Sequence, residues 1–178
     1  YKEGIDYSQK ALTIAKKLKD LRGKYYASIH LGNSLDRLNH KEQSMEHVEK
    51  ALEIANELND HEIIAEAHAI IGDYHFAAGD TENALIHFEE FHDHIDEALQ
   101  DSQKQDARKQ KDMKEDQFSN LGSVAKCKCE LQMYDEAIEL LEHEIERRQE
   151  DKYYAKGIAW AYLALSETYF ERYQYDAG

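Results

Sequence analysis

Lys10-Ala11-Leu12-x-Ile14-Ala15-x-x-Leu18-x-Asp20 returns as Lys50-Ala51-Leu52-x-Ile54-Ala55-x-x-Leu58-x-Asp60. Residues 1–40 lie on residues 41–80 without a gap, so that Ala27 falls on Ala67 and Gly32 on Gly72. A period of about forty residues with helical apolar spacing marks stacked helix pairs, a solenoid in which each pair buries its apolar face on its neighbours. Solenoids of this kind usually present a binding surface to other proteins and seldom do chemistry.

Composition agrees. The chain has 178 residues, no proline and only 8 glycines, so little in it breaks a helix. Ala, Leu, Glu and Lys dominate, and no alternating β-branched run bounded by turns occurs. The net charge is −15 and it is uneven. Residues 1–40 carry 8 basic and 4 acidic side chains, residues 41–100 carry 2 and 16, and residues 101–178 carry 12 and 17. Such a chain repels a phosphate backbone, which argues against direct nucleic-acid binding and in favour of basic partners. Cys127 and Cys129, two apart on a helix, point to nearly opposite sides and can neither bridge nor share a metal. That usage fits a reduced, intracellular protein. No apolar run approaches the length of a membrane span. The chain opens at Tyr1, inside a repeat, and is expected to be part of a longer protein.

Apolar periodicity predicts helices over 3–19, 22–38, 41–58 and 61–78, with Asp20 and Asp60 as caps. Gly79-Asp80-Thr81 is the clearest turn. A helix starting near Glu82 carries Ala84, Leu85, Phe88, Phe91 and Ile95. From Leu99 to Asp116 the chain is polar and of mixed charge. It is expected to extend helices beyond the packed core, around a flexible bend. Order resumes at Phe118, with a helix to about Leu131, a partner opening at Tyr134, and a last helix over 153–173.

These spacings resemble the tetratricopeptide repeat. Gly32 with Leu35, Ser44, Val48 and Ala51 matches its small, bulky and Ala slots. So does Gly72 with Ala84, Phe88 and Phe91, where His75 stands in an aromatic slot. Tyr134, Ala137 and Leu141 match a later second helix, which puts Ala125 at the small slot with Gly122 three residues off that register. The family's closing proline is missing throughout. The resemblance implies an all-α, right-handed solenoid: a half-repeat (1–20), repeats at about 21–60 and 61–100, a polar interruption at about 100–116, a repeat at about 117–151 and a half-repeat at 152–178.

A narrower resemblance lies in Phe88-Glu89-Glu90, Ile95-Asp96-Glu97-x-Leu99, the charged run with Asp112-Met113-Lys114, and Asn120-Leu121-Gly122. Together with Leu52-x-Ile54-Ala55-x-x-Leu58-Asn59-x-His61 and Ile71-Gly72, it is similar to the amino-terminal repeats of Tonsoku proteins. That resemblance implies a nuclear scaffold for DNA replication and DNA repair on new chromatin that reads histone tails. Leu31-Gly32-Asn33 and the forty-residue repeats are also similar to spindle adaptors, which implies a cytoplasmic adaptor for cortical or signalling complexes.

In this architecture the first helix of each pair lines a concave groove. By spacing it shows Tyr26, His30, Asn33, Asp36 and Arg37, then Glu66, Ile70, Asp73 and Phe76, then Trp160, Glu167, Phe170 and Glu171. Trp160 suits either a ligand contact or a contact with a further repeat. An acidic groove with aromatic walls suits an extended peptide rich in Lys or Arg, whose cations pair with carboxylates and whose stems lie on rings. A histone H3 tail has that character.

No catalytic motif is present: no glycine-rich phosphate loop, no Gly-x-Ser-x-Gly, no His-Glu-x-x-His. Cofactors are not expected. The chain has ten histidines. His87, Glu90 and His94 share one helical face that a divalent metal fits, but three ligands on a lone helix read better as solvated surface. Glu89-x-x-His92 lacks the further carboxylates of a di-iron bundle.

Overall fold

The computed structural model describes residues 2–102, 107–150 and 157–177. Among these residues eight helices follow one another: α1 (Lys2–Leu18), α2 (Leu21–Asp36), α3 (Lys41–Leu58), α4 (His61–Ala77), α5 (Thr81–Ser102), α6 (Ala107–Glu130), α7 (Tyr134–Glu150) and α8 (Ile158–Ala177). No strand occurs among the described residues. Each helix packs on the next, and the chain is an α-solenoid of antiparallel pairs. The expected bend inside 100–116 and the first residues of the expected last helix, Tyr154 among them, fall outside the described residues.

Local chemistry sets the boundaries. Asp20 Oδ1 accepts from Gly23 N at 2.9 Å and Asp60 Oδ1 from Ile63 N at 3.4 Å, so each satisfies an amide that the first turn leaves free. Asp80 does the same for Asn83 N at 3.4 Å and also bonds the Asn83 side chain. The first four helices end on a single residue in the left-handed region: Lys19, Asn39, Asn59 and Gly79, at φ 56°, 64°, 50° and 79°. They recur every twentieth residue, so the half-period of the sequence is a half-period of the backbone. Asn and Gly tolerate this conformation and Lys does not.

The core is a row of three clusters along the stack. Tyr25, Ile29, Val48, Ala51, Ile64 and Ile71 form the first, across α2, α3 and α4. Gly32 and Gly72 let the pairs close: a Cβ on Gly32 would stand 2.8 Å from Val48 Cγ2, and one on Gly72 would stand 2.6 Å from the Phe88 ring. Ser44 Oγ, fully buried, donates to Gly32 O at 2.7 Å and lies 2.5 Å from the Tyr74 hydroxyl. It thereby ties three successive helices. The second cluster joins Ala65, Phe91, Ile95, Ala98 and Met113; the third joins Ala84, Leu85, Phe88, Val124 and Cys127. Cys127 and Cys129 are both free.

The second cluster corrects one expectation. The polar run 100–116 does not simply project beyond the core, because Met113 is 3% exposed against Phe91, Ile95 and Ala98. α5 and α6 are longer than their neighbours, with 22 and 24 residues against 17 in α4. The interior around them is partly polar. Gln117 Nε2 donates to Asp96 at 2.8 Å, and buried Glu144 of α7 accepts from Arg148 Nε at 2.7 Å and Arg147 Nε at 2.8 Å.

Two outcomes follow for stability. Met113→Ala removes a well-packed side chain and should cost about 2–4 kcal/mol in urea unfolding; a cost below about 1 kcal/mol would show that the α5–α6 extension is not part of the core. Lys19→Gly relieves a left-handed lysine and should stabilise by about 0.5–1 kcal/mol in the same measurement.

Candidate functional site

A cleft of about 450 Å³ opens between α4, α5 and α6. Glu62, Glu66, Ala69 and Asp73 of α4 form one wall, and Asp116, Ser119, Asn120 and Ser123 of α6 form the other. Phe91, Ile95 and Met113 make the apolar floor. Helical spacing explains the α4 wall: 62, 66, 69 and 73 advance by three and four, along one face. The α6 wall follows the same rule, while Leu121 and Val124 of that helix turn inward and are buried.

The carboxylates of this cleft are poorly compensated. Glu62 is paired with Lys109 at 2.5 Å. Glu66, Asp73 and Asp116 form no ion pair among the described residues. Each still meets solvent on its open side, yet the walls remove enough water to raise all three above the ordinary carboxylate range. Desolvation is the leading cause in each case, and like charges add to it at Glu66 (Glu62) and at Asp116 (Asp112, Glu115). The buried Tyr25 hydroxyl sits beside Glu66, outside ordinary hydrogen-bond geometry, and its pKa is raised by its own burial and then by that carboxylate. Asn120 Oδ1 is buried in the α6 wall with no hydrogen-bond partner. The cleft is therefore rich in acceptors and short of donors.

The residues singled out from sequence fall into separate places. Glu66 and Asp73 come together in this cleft. Ile70 packs against the first core cluster. Phe76 packs against the third, and Lys126 Nζ sits 4.6 Å above its ring. Tyr26, His30, Asn33 and Arg37 are exposed on the α2 side, with Tyr26 edge-on to Tyr25 and His30 near enough to Glu66 to favour its charged form. Asp36 is paired with Lys41 at 2.8 Å. Trp160, Glu167 and Glu171 of α8 line a second, smaller notch of about 150 Å³ with Gly122, Lys126 and Cys129 of α6. Trp160 lies so close to Gly122 that a Cβ there would stand 2.2 Å from Cη2. Phe170 is 62% exposed and outside both hollows.

α6 is thus the wall shared by both hollows, and sequence reasoning left its residues out. The signal was present: Ser119, Asn120 and Ser123 are polar and, with Asp116, advance by three and four along one face. The polar stretch before them obscured the register of this helix. A further departure concerns the histidines. His87 and His94 are not solvated surface but half-buried in the seam between α5 and α4. Among the described residues no helix is long and apolar enough to cross a membrane.

No protein-family model and no curated protein matches the chain. Solved structures do. A Podosopora anserina kinesin light chain of nearly identical TPR-like repeats superposes with a TM-score of 0.68 at 14% identity, over 99% of this chain and 87% of that one. A point variant of those repeats gives 0.68 at 15%, over 99% and 85%. A Rap protein complexed with competence and sporulation factor gives 0.65 at 21%, over 92% of this chain and 45% of that one. The chain therefore spans less than half the length of the Rap protein it matches. At these identities the likeness shows the fold, a TPR-like all-α solenoid, and not kinship with Tonsoku proteins or spindle adaptors.

Proposed function

We propose that the protein is a non-enzymatic scaffold that binds a basic, extended segment of a partner protein in the α4–α6 cleft. The observation that carries this reading is one of imbalance. Glu66, Asp73 and Asp116 are held partly desolvated without a cation, beside an acceptor, Asn120 Oδ1, that has no donor. Solvent screens the three carboxylates on their open side, but the walls leave them favouring a ligand that brings a cation and a donor. Lysine or arginine side chains supply the charge, a peptide N–H supplies the donor, and the Phe91–Ile95–Met113 floor receives their methylene stems. The match to a Rap protein solved with competence and sporulation factor supports a partner-holding role for this kind of stack. A histone H3 tail has the required chemistry and is the segment that the Tonsoku resemblance points to; in that reading the protein works in the nucleus, on replicating chromatin.

The test is a titration of labelled H3-tail peptide and of an acidic peptide of equal length. The basic peptide should bind, with affinity falling as salt rises, and the acidic one should not. Glu66→Lys with Asp73→Lys should weaken binding by about tenfold or more, since each exposed ion pair contributes about 0.2–1 kcal/mol and the reversed charges add a repulsion of similar size. Glu49→Lys with Glu53→Lys, on α3, should change it little. Equal losses in the two double variants would reduce the cleft to general charge attraction.

Neutralising the same cleft should reveal its cost. Glu66→Gln with Asp73→Asn should lose the peptide yet raise the melting temperature at pH 7. The sign follows from the raised folded-state pKa of both groups: their ionised forms are disfavoured in the fold, and protonation relieves this. The gain of the variant should accordingly shrink as the pH falls through the raised carboxylate range. A gain that persisted unchanged into acid would have another origin.

A further inference from the structure

Five histidines interleave along the seam of the α4–α5 hairpin. His61, His68 and His75 recur every seventh residue on α4, and His87 and His94 do so on α5. A spacing of seven returns to the same side of a helix, and the helices are antiparallel, so the rings alternate. His75 stacks on His87 at 5.5 Å between centroids, His87 meets His68 at 5.1 Å, His68 stacks on His94 at 5.8 Å, and His94 on His61 at 5.3 Å. On α5 alone, His87, Glu90 and His94 lacked a second helix to complete a site. α4 is that helix.

At the open end of the hairpin three ligand atoms converge. His61 Nδ1 lies 3.0 Å from His94 Nδ1 and 2.6 Å from Glu97 Oε2, and His94 Nδ1 lies 3.4 Å from that same oxygen. Tetrahedral zinc with bonds of about 2.0–2.1 Å sets its ligand atoms about 3.3 Å apart. The observed triangle reaches that geometry if its 2.6 Å edge opens by about 0.7 Å and its 3.0 Å edge by about 0.3 Å. With a proton on one of the two Nδ1 atoms, that single N–H is shared between Glu97 and the other ring's Nδ1. A cation uses all three lone pairs at once. The side chains of His61 and His94 are 25% and 22% exposed, so the rings are held by packing while water still reaches the site.

We propose that His61, His94 and Glu97 bind one divalent zinc ion, with water as the fourth ligand, and that the ion staples the start of α4 to the far half of α5. Imidazole and carboxylate donors suit Zn²⁺ and, less selectively, Co²⁺ and Ni²⁺. A second set, His68, Glu90 and His94, also brings its ligand atoms within 4.8 Å of one another. It shares His94 and is therefore a competitor, not a second site. The remaining rings support the first set by packing: His68 stacks on His94 at 5.8 Å and holds that ring in place.

The experiment strips the protein with a chelator and titrates Zn²⁺ by calorimetry, with Co²⁺ as a spectroscopic probe. Binding of one equivalent is expected, with tetrahedral Co²⁺ absorption and a melting temperature that rises with zinc concentration. His61→Gln and His94→Gln should each weaken zinc binding at least about tenfold, while His75→Gln and His68→Gln leave it unchanged. Circular dichroism of each stripped variant confirms that the helices persist, and the Co²⁺ spectrum reports the ligand set independently of stability. The absence of zinc binding by the wild type would overturn the proposal. A loss from His68→Gln without one from His61→Gln would also overturn it, in favour of the competing set.

Discussion

Everything in this stack depends on how closely the two helices of a pair approach. At Gly32 and Gly72 the α2 and α4 backbones come within contact of Val48 and Phe88, and a single added Cβ would intrude on both. That proximity makes Val48, Ala51, Ala55 and Ala67 fully buried. It also fixes which residues of α2 and α4 turn outward. The acidic cleft is a consequence: once Gly72 and Ile71 commit to the inside of α4, positions 62, 66, 69 and 73 are left on the open side. The histidine seam is another consequence, since the same approach brings rings from α4 and α5 within stacking range.

The parts legible in the sequence were those written in apolar periodicity and caps. α1 to α4, and the start of α5, fall within a residue or two of expectation because Asp20, Asp60 and Asp80 cap and Asn39, Asn59 and Gly79 turn. The packing of residues 107–117 was not legible, for a physical reason. Met113 is the one large apolar side chain there, and the surrounding interior is partly polar, held by Gln117 with Asp96 and by Glu144 with Arg147 and Arg148. A hydrophobicity pattern does not register such an interior, because its residues are the ones expected on a surface.

The candidate site was legible by half. Glu66 and Asp73 follow from the register of α4, which Gly72 anchors. Asp116, Ser119, Asn120 and Ser123 required the register of α6, which the polar stretch hid. The histidines fail differently. Read one helix at a time, each set is incomplete. Only the antiparallel pairing of α4 with α5 brings His61 to His94 and Glu97, and pairing between helices has no sequence signature beyond the shared spacing of seven.

The long hairpin of α5 and α6 has a consequence for counting. Left-handed residues 39 and 79 are 40 apart, whereas 79 and 132 are 53 apart. The surplus is shared by two helices that pack on each other, α5 with 22 residues and α6 with 24, while α7 has 17, as α4 does. A turn added to one helix of such a pair is covered only if its neighbour is lengthened as well, so extra length enters this fold in matched pairs and not in single helices.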